Sequence, residues 1–581
     1  MLKDSWSLAQ KIEHARRIEA DVPLPQFRDI PEMLNRRRND PGTYLIYRSS
    51  KGDRNELSYR EFVDLMEQTA EFMRQQGLQA GDRIATVSHN HWHTVVHYFA
   101  AWLIGVVVVP VNLGEDDDRI RYILQAGQVK LAFVRDRYVD RMHKIVSGSG
   151  LDISLVACDE SMDAFTSSVD SGTFRPQLES CGEHDVMENE FRISGIKSQS
   201  ESRSEQDALI VFTSGTTGNP KGVVLTQCNL LEDARAISEW HSIDSATRMM
   251  CVLPIHHVNG TVVTLCTPFY AGGSVVLNEK FSVGHFFETI ATEQVHIVSV
   301  VPTLLSFLTS HHTEHPVGEY PTLRHIICGA GPLTVTVAEQ FETRFGIRII
   351  HGYGLSETTC YSCYLPVDLS DEEHRHWMRD HGYPSIGVAL DVNEMDIHDP
   401  EGRPVGDGNR GEIVIRGRNV MTGYYANDQA NENAFTYGWF RSGDEGFTLS
   451  DDQGRRFYFI TGRLKELIIR GGVNLAPLEI DEVINRAPGV KAGISVGFEN
   501  DWYGEEVGAY VQMEAGVQEN EAEIIAFCRQ HLPFSKCPKV VVFGSDIPVT
   551  STGKYQRMKV AHLFTQWKGT QFKDISSKAV K

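Results

Sequence analysis

Short runs of Val and Ile alternate with longer stretches of helical periodicity over most of the chain. The apolar runs fall at residues 83–88, 106–110, 130–135, 249–254, 295–301 and 347–351. Runs of this length read as buried strands, and their alternation with helical segments predicts stacked α/β layers. Two polar stretches break the rhythm. Residues 167–206 are rich in Ser and Glu, which predicts a linker or surface excursion. Residues 368–381 read as a surface insertion. The composition changes near Gly462. Beyond it lie a Gly471-Gly472 turn, a helix over 478–486, a strand over 507–513 and a helix over 521–532. That is enough for a small α+β domain. The expected fold class is therefore α/β: a large multi-layer N-terminal domain over 1–462, a connector at 463–465, a small mobile α+β domain over 466–565 and a loose tail over 566–581.

A chain of 581 residues is too long for one compact core. Its 56 basic and 77 acidic residues leave a net charge of −21, which argues against general binding to nucleic acid or anionic membranes. A site for anions must then concentrate positive groups and N–H donors locally. The ten cysteines are scattered, and Cys158, Cys251, Cys266 and Cys328 sit in apolar runs, as reduced thiols of a cytoplasmic protein do. Cys360 and Cys363 have metal-like spacing, but no second pair completes a zinc site, and pocket lining is the preferred reading. No signal core, spanning helix or terminal lipid anchor is legible, so a cytoplasmic protein without an integral membrane segment is expected.

The densest chemistry follows the apolar run at 208–212. Thr213, Ser214, Gly215, Thr216, Thr217, Gly218, Asn219, Pro220, Lys221 and Gly222 crowd hydroxyls, glycines and one lysine into a single loop. Exposed N–H groups and hydroxyls in such a loop form an anion nest, and a polyphosphate is its natural guest. The Gly-x-x-x-x-Gly-Lys-Ser/Thr loop does not fit, because Lys221 is followed by Gly222 and another strand-like run at 223–226. The loop resembles the signature of the adenylate-forming superfamily: acyl-CoA synthetases, peptide-synthetase adenylation domains and firefly-type luciferases. Later motifs extend the resemblance from about residue 57 to 560, closest to the AMP-forming fatty acyl-CoA synthetases.

That resemblance implies roles residue by residue. Tyr353, between Gly352 and Gly354, would meet adenine; Ser356 would meet the α-phosphate region; Glu357, with Thr217, would hold Mg²⁺, which prefers oxygen ligands. Asp444, between Gly443 and Glu445, would accept both ribose hydroxyls. Arg463 would contact the ribose, and Lys465 would be the hinge about which the small domain turns. Lys554, after a Thr-Gly turn, would be the catalytic lysine of adenylation. His257 would gate an acyl pocket walled by Val258, Val301, Pro302, Gly329, Ala330, Gly331, Gly352 and Leu355. Gly329 and Gly331 are expected to leave depth for a chain or ring. No Asp stands beside His256 and His257 to pair with a substrate ammonium, so an α-amino acid is disfavoured.

The reaction so implied joins a carboxylate to the α-phosphorus of ATP and then passes the acyl group to a thiol. Coenzyme A is the simplest acceptor, and a fatty acid the expected substrate. Alternatives are an aryl-CoA ligase, an acyl-adenylate ligase that loads a separate carrier protein, a luciferase-like oxygenase and a degenerate nucleotide-binding scaffold. Lys221, Glu357, Asp444, Arg463 and Lys554 are all present, against the last. The partners expected are a small carboxylic acid, ATP and CoA; the oligomeric state is open, a homodimer included.

Overall fold

The computed structural model describes residues 6–147, 149–158, 177–178, 204–213, 219–311, 320–549 and 555–573. The polar stretch read at 167–206 lies almost wholly outside them, as do Ser214, Gly215, Thr216, Thr217, Gly218 and Lys554.

Two largely parallel sheets build the large domain. In one, the described strands run in the order Gly423–Tyr424, Lys221–Thr226, Asp207–Thr213, Val107–Pro110, Arg83–Val87, Leu131–Arg135, Ser154–Cys158 and Gln177–Leu178. In the other, the parallel core is Ser274–Asn278, Arg248–Cys251, Ile297–Val300, His325–Cys328 and Ile349–Tyr353. Each of the six apolar runs contains a strand, and most are buried along their full length, as strands covered on both faces should be. The run at 221–226 is also a strand, antiparallel to Asp207–Thr213, so the phosphate-loop sequence joins the two arms of a hairpin.

A third, antiparallel sheet carries Asn393–His398, Gly411–Gly417, Phe440–Ser450 and Arg456–Arg463. The stretch at 368–381 lies largely at the surface but is anchored to the core. It holds a helix, Asp371–Arg379, started by a Ser370–Glu373 capping box. Its Trp377 is buried and stacks on Phe457 of the third sheet at 3.7 Å. The polar residues that dominate the stretch are one face of an amphipathic helix.

The small domain is a sheet of Val473–Leu475, Ile468–Arg470, Gly504–Met513, Val490–Asn500 and Val540–Phe543, packed by helices Pro477–Asn485 and Glu521–His531. It touches the large domain through Glu482, whose Oε1 accepts from both the hydroxyl and the N–H of Thr336, at 2.5 and 3.1 Å. Among the described residues no helix is long and apolar enough to cross a membrane.

Candidate active site

A cleft opens beyond the carboxyl ends of the strands His325–Cys328 and Ile349–Tyr353, where open parallel sheets bind their ligands. Ala330, Gly331, Gly352 and Tyr353 line its floor, and Asp444 and Arg463 one wall. Ala330 sits at φ +61°, a left-handed conformation rare for a residue with a Cβ and concentrated at functional sites. The small domain closes the cleft from above with Pro477, Leu478, Tyr555 and Arg557.

Asp444 organises the wall. It lies directly opposite Arg463 on neighbouring antiparallel strands, and the Arg463 Nε stands 2.8 Å from its Oδ1. The hydroxyl of Tyr353 donates to its Oδ2 at 2.6 Å. Asp444 is 1 % exposed. A buried carboxylate is costly without such partners, and the pairing also pushes the Arg463 guanidinium up from its ordinary pKa. Burial, with Asp444 beside it, pushes the Tyr353 phenol well up, so it stays a neutral donor. A carboxylate has about four lone-pair positions, so Asp444 retains capacity for a further hydroxyl.

A second cluster lies at the exit of the phosphate-loop hairpin. The Nζ of Lys221 sits 4.8 Å from the ring centroid of Tyr424, and the Tyr424 hydroxyl donates to Glu357 Oε1 at 2.9 Å. Glu357 stands with Ser356 on the short 3₁₀ turn Ser356–Thr358, both half-buried. Among the described residues, Glu357 Oε2 accepts no hydrogen bond. One oxygen anchored and one left open is a donor arrangement that fits a hard divalent ion such as Mg²⁺. Tyr424 and Tyr361 had no signal in the sequence beyond being aromatic residues in apolar surroundings.

Of the residues expected to wall an acyl pocket, Ala330, Gly331 and Gly352 line the cleft beside Asp444, whereas His257, Val258, Val301, Pro302, Gly329 and Leu355 are not among its lining. Val258, Val301 and Leu355 are buried in the main core. His257 precedes a π-helical segment, Asn259–Cys266, a rare form often found at functional sites; burial holds its neighbour His256 down to about 4. The depth expected behind Gly329 is taken. A Cβ on Gly329 would lie 2.5 Å from the Tyr361 hydroxyl, and one on Gly352 2.4 Å from the Tyr364 ring. The two rings stack at 4.4 Å. The Tyr361 hydroxyl receives a hydrogen bond from Asn259 Nδ2 at 3.1 Å, and Asn259 Oδ1 accepts from Ser299 at 2.8 Å. Gly329 and Gly352 are small so that the two tyrosines fit against them. A Cβ on Gly331 would meet Pro302 at 3.3 Å.

Arg557 is buried among partners from several elements of the small domain. Its guanidinium donates to both oxygens of Asp481, at 3.0 and 2.5 Å, and to the Ser495 carbonyl at 2.9 Å; its Nε is 3.6 Å from Glu466. Tyr555 forms an antiparallel bridge with Val549. Lys465 is exposed in the 3₁₀ turn Leu464–Glu466 that joins the third sheet to the small domain. Cys360 and Cys363 are free and buried, and no metal-binding cluster of His, Cys, Asp and Glu occurs among the described residues.

A family described as AMP-binding enzyme matches residues 35–425, and the AMP-binding enzyme C-terminal domain matches residues 479–554. A sulfoacetate–CoA ligase from Cupriavidus necator is 32 % identical over 83 % of this chain and 88 % of its own length. An oxalate–CoA ligase from Arabidopsis thaliana is 30 % identical over 88 % of this chain and 94 % of its own. Among solved structures, ATP-bound MatB from Rhodopseudomonas palustris superposes with a TM-score of 0.77 at 24 % identity, covering 92 % of this chain and 99 % of that one. The same two-domain fold is thus present here.

Proposed function

The chain belongs to the AMP-binding enzyme family and is an AMP-forming acid–thiol ligase, and from that premise we propose that it joins a short carboxylic acid to coenzyme A. The observation that carries the nucleotide part is the Tyr353–Asp444–Arg463 constellation in the interdomain cleft. The observation that carries the acid's size is the Tyr361 ring packed behind Gly329.

A carboxylate is a poor electrophile and needs a leaving group. Its oxygen attacks the α-phosphorus of ATP, the bond to the β-phosphate oxygen breaks, and pyrophosphate leaves. The thiolate of CoA then attacks the acyl carbon and AMP departs. Asp444 accepts the ribose hydroxyls. Tyr353, its hydroxyl engaged by Asp444, offers a ring face to adenine. Arg463 fixes the Asp444 carboxylate and meets the ribose. Lys221 and the hydroxyls of Thr213, Ser214, Thr216 and Thr217 hold the β- and γ-phosphates. Glu357, with Thr217, would hold Mg²⁺, which when bound offsets phosphate charge. Lys554 brings positive charge to the meeting point of the two anions, where preorganised charge is worth roughly 3–4 kcal/mol per group. His257 gates the acid site. Lys465 is the hinge, at the boundary between a domain over 1–462 and one over 466–565, and rotation there withdraws Lys554 and admits the thiol.

The expectation of a fatty acid loses its ground with the filled glycine depth. Two relatives at 30 % identity or more bear the names of ligases for sulfoacetate and oxalate, both two-carbon acids, and a short acid agrees with both observations. The test is acid-dependent release of AMP and pyrophosphate over short, long-chain and aryl acids, with and without CoA. Turnover with short acids that requires CoA is expected. Efficient turnover of long-chain acids overturns the size assignment, and an adenylate that accumulates regardless of CoA overturns the acceptor.

A further inference from the structure

Lys221 and Glu357 carry opposite charges close together, yet each contacts the same tyrosine. Among the described residues, neither makes an ion pair with the other or with any third group. If they paired directly, each would neutralise the charge the other needs for phosphate or metal. Tyr424 supplies an aromatic face to the ammonium and a hydroxyl to the carboxylate, two distinct ends of one rigid side chain.

The backbone around Tyr424 is fixed on three sides. Gly423 and Tyr424 pair antiparallel with Val224 and Val223, the strand that leaves the phosphate-loop hairpin, and Tyr425 N–H donates to the Gly222 carbonyl at 2.7 Å. Asn431 Oδ1 accepts the Tyr424 N–H at 2.6 Å, and its Nδ2 donates to the Tyr424 carbonyl at 3.0 Å. Gly423 has φ +146°, and a Cβ there would come within 3.0 Å of Asn431 Oδ1. The segment also reaches Glu357 through its backbone: Met421 N–H donates to the Glu357 carbonyl at 2.9 Å. A two-residue strand thus clips the loop hairpin to the turn that carries Glu357.

We propose that Tyr424 is a positioning residue for the adenylation step: its hydroxyl aims Glu357 at the divalent cation while its ring holds Lys221 apart, toward the phosphates. This rests on the ATP-dependent ligase reading above.

Tyr424→Phe keeps the ring beneath Lys221 and removes only the hydroxyl. A hydrogen bond to a charged group is worth about tenfold or more in an equilibrium. The half-saturating Mg²⁺ concentration of Tyr424→Phe should rise about tenfold, while KM for ATP at saturating Mg²⁺ stays within about twofold. Tyr424→Leu should in addition raise KM for ATP at saturating Mg²⁺, because the cation–π contact goes as well. Binding is read independently of turnover by titrating Mn²⁺ into the protein with a non-hydrolysable ATP analogue, followed by electron paramagnetic resonance. Weaker Mn²⁺ binding by Tyr424→Phe, with an unchanged melting temperature, supports the proposal. Wild-type Mn²⁺ affinity in that variant overturns it. Absence of ATP cleavage by the wild-type protein with every acid would instead overturn the ligase reading, and the Mn²⁺ titration would still report on Tyr424.

Discussion

Tyr353 and Asp444 lie 91 residues apart in sequence and share a hydrogen bond of 2.6 Å inside the interdomain cleft. One comes from a parallel strand of the large sheet, the other from the antiparallel third sheet. Their meeting joins the aromatic face proposed for adenine to the carboxylate proposed for the ribose, with Arg463 opposite as counter-charge.

Asp444→Asn should weaken ATP use by roughly 10–100-fold, mainly through KM, since hydrogen bonds to a charged acceptor are worth about 1.5–3 kcal/mol. The specific signature is discrimination. Wild-type protein should prefer ATP over 2′- and 3′-deoxyATP, and the variant should lose most of that preference. Steady-state kinetics with the three nucleotides decides it; an unchanged preference would place the ribose elsewhere.

Lys554→Ala should slow acyl-adenylate formation by about 10²–10³-fold, the usual loss for a charge-stabilising group. Thioester formation from a supplied acyl adenylate should remain within a few-fold of wild type. Equal loss of both half-reactions in a folded variant would remove Lys554 from its assigned role.

Tyr361→Ala should open space behind Gly329 and admit longer acids, at a stability cost of roughly 3–5 kcal/mol for a deleted aromatic ring. Tyr361→Phe loses only the bond from Asn259, costs about 1 kcal/mol and should keep the short-acid profile. The kcat/KM series from two to twelve carbons is the measurement. A folded Tyr361→Ala with an unaltered series would mean that the acid lies elsewhere.

Stability should fall on mild acidification. Burial holds His325 and His351 down to about 4 and His97 down to about 3, against 6.5 for an exposed histidine. As pH drops below about 6.5, the unfolded chain takes up protons that the folded protein refuses. The contribution of each group is therefore complete above about pH 6.5 and is lost between there and about pH 4 for His325 and His351, or about pH 3 for His97. At pH 5 the loss is about 2 kcal/mol per histidine, on the scale of 1.36 kcal/mol per unit. Urea unfolding at pH 7.5, 6 and 5 should show this decline, and His351→Gln should flatten its slope. A pH-independent midpoint across that range would contradict it.

Some of this was written locally in the chain. The strands Arg83–Val87 and Ile349–Tyr353 announce themselves in the runs at 83–88 and 347–351 because a buried strand needs a continuous apolar run. Asp444 and Glu357 were legible because their glycine and hydroxyl neighbours are part of the same short loop as the chemistry. Other features are relations between distant segments, and no window of sequence contains them. Residues 368–381 read as surface because polar residues dominate, and most are exposed, but the sequence did not show that Trp377 stacks on Phe457 and draws the helix onto the sheet. Gly329 stated only that a side chain is absent. What occupies the space is the Tyr361 ring, held by Asn259 and Ser299 from two other elements. Tyr424 meets Lys221 and Glu357 because a strand pairing closes nearly 200 residues of chain. The sequence by itself determined the chemistry at hand, since residue type sets charge and hydrogen-bonding capacity. Tertiary packing decided which groups face one another and how much room remains between them, because volume in a close-packed interior is a property of all the neighbours at once.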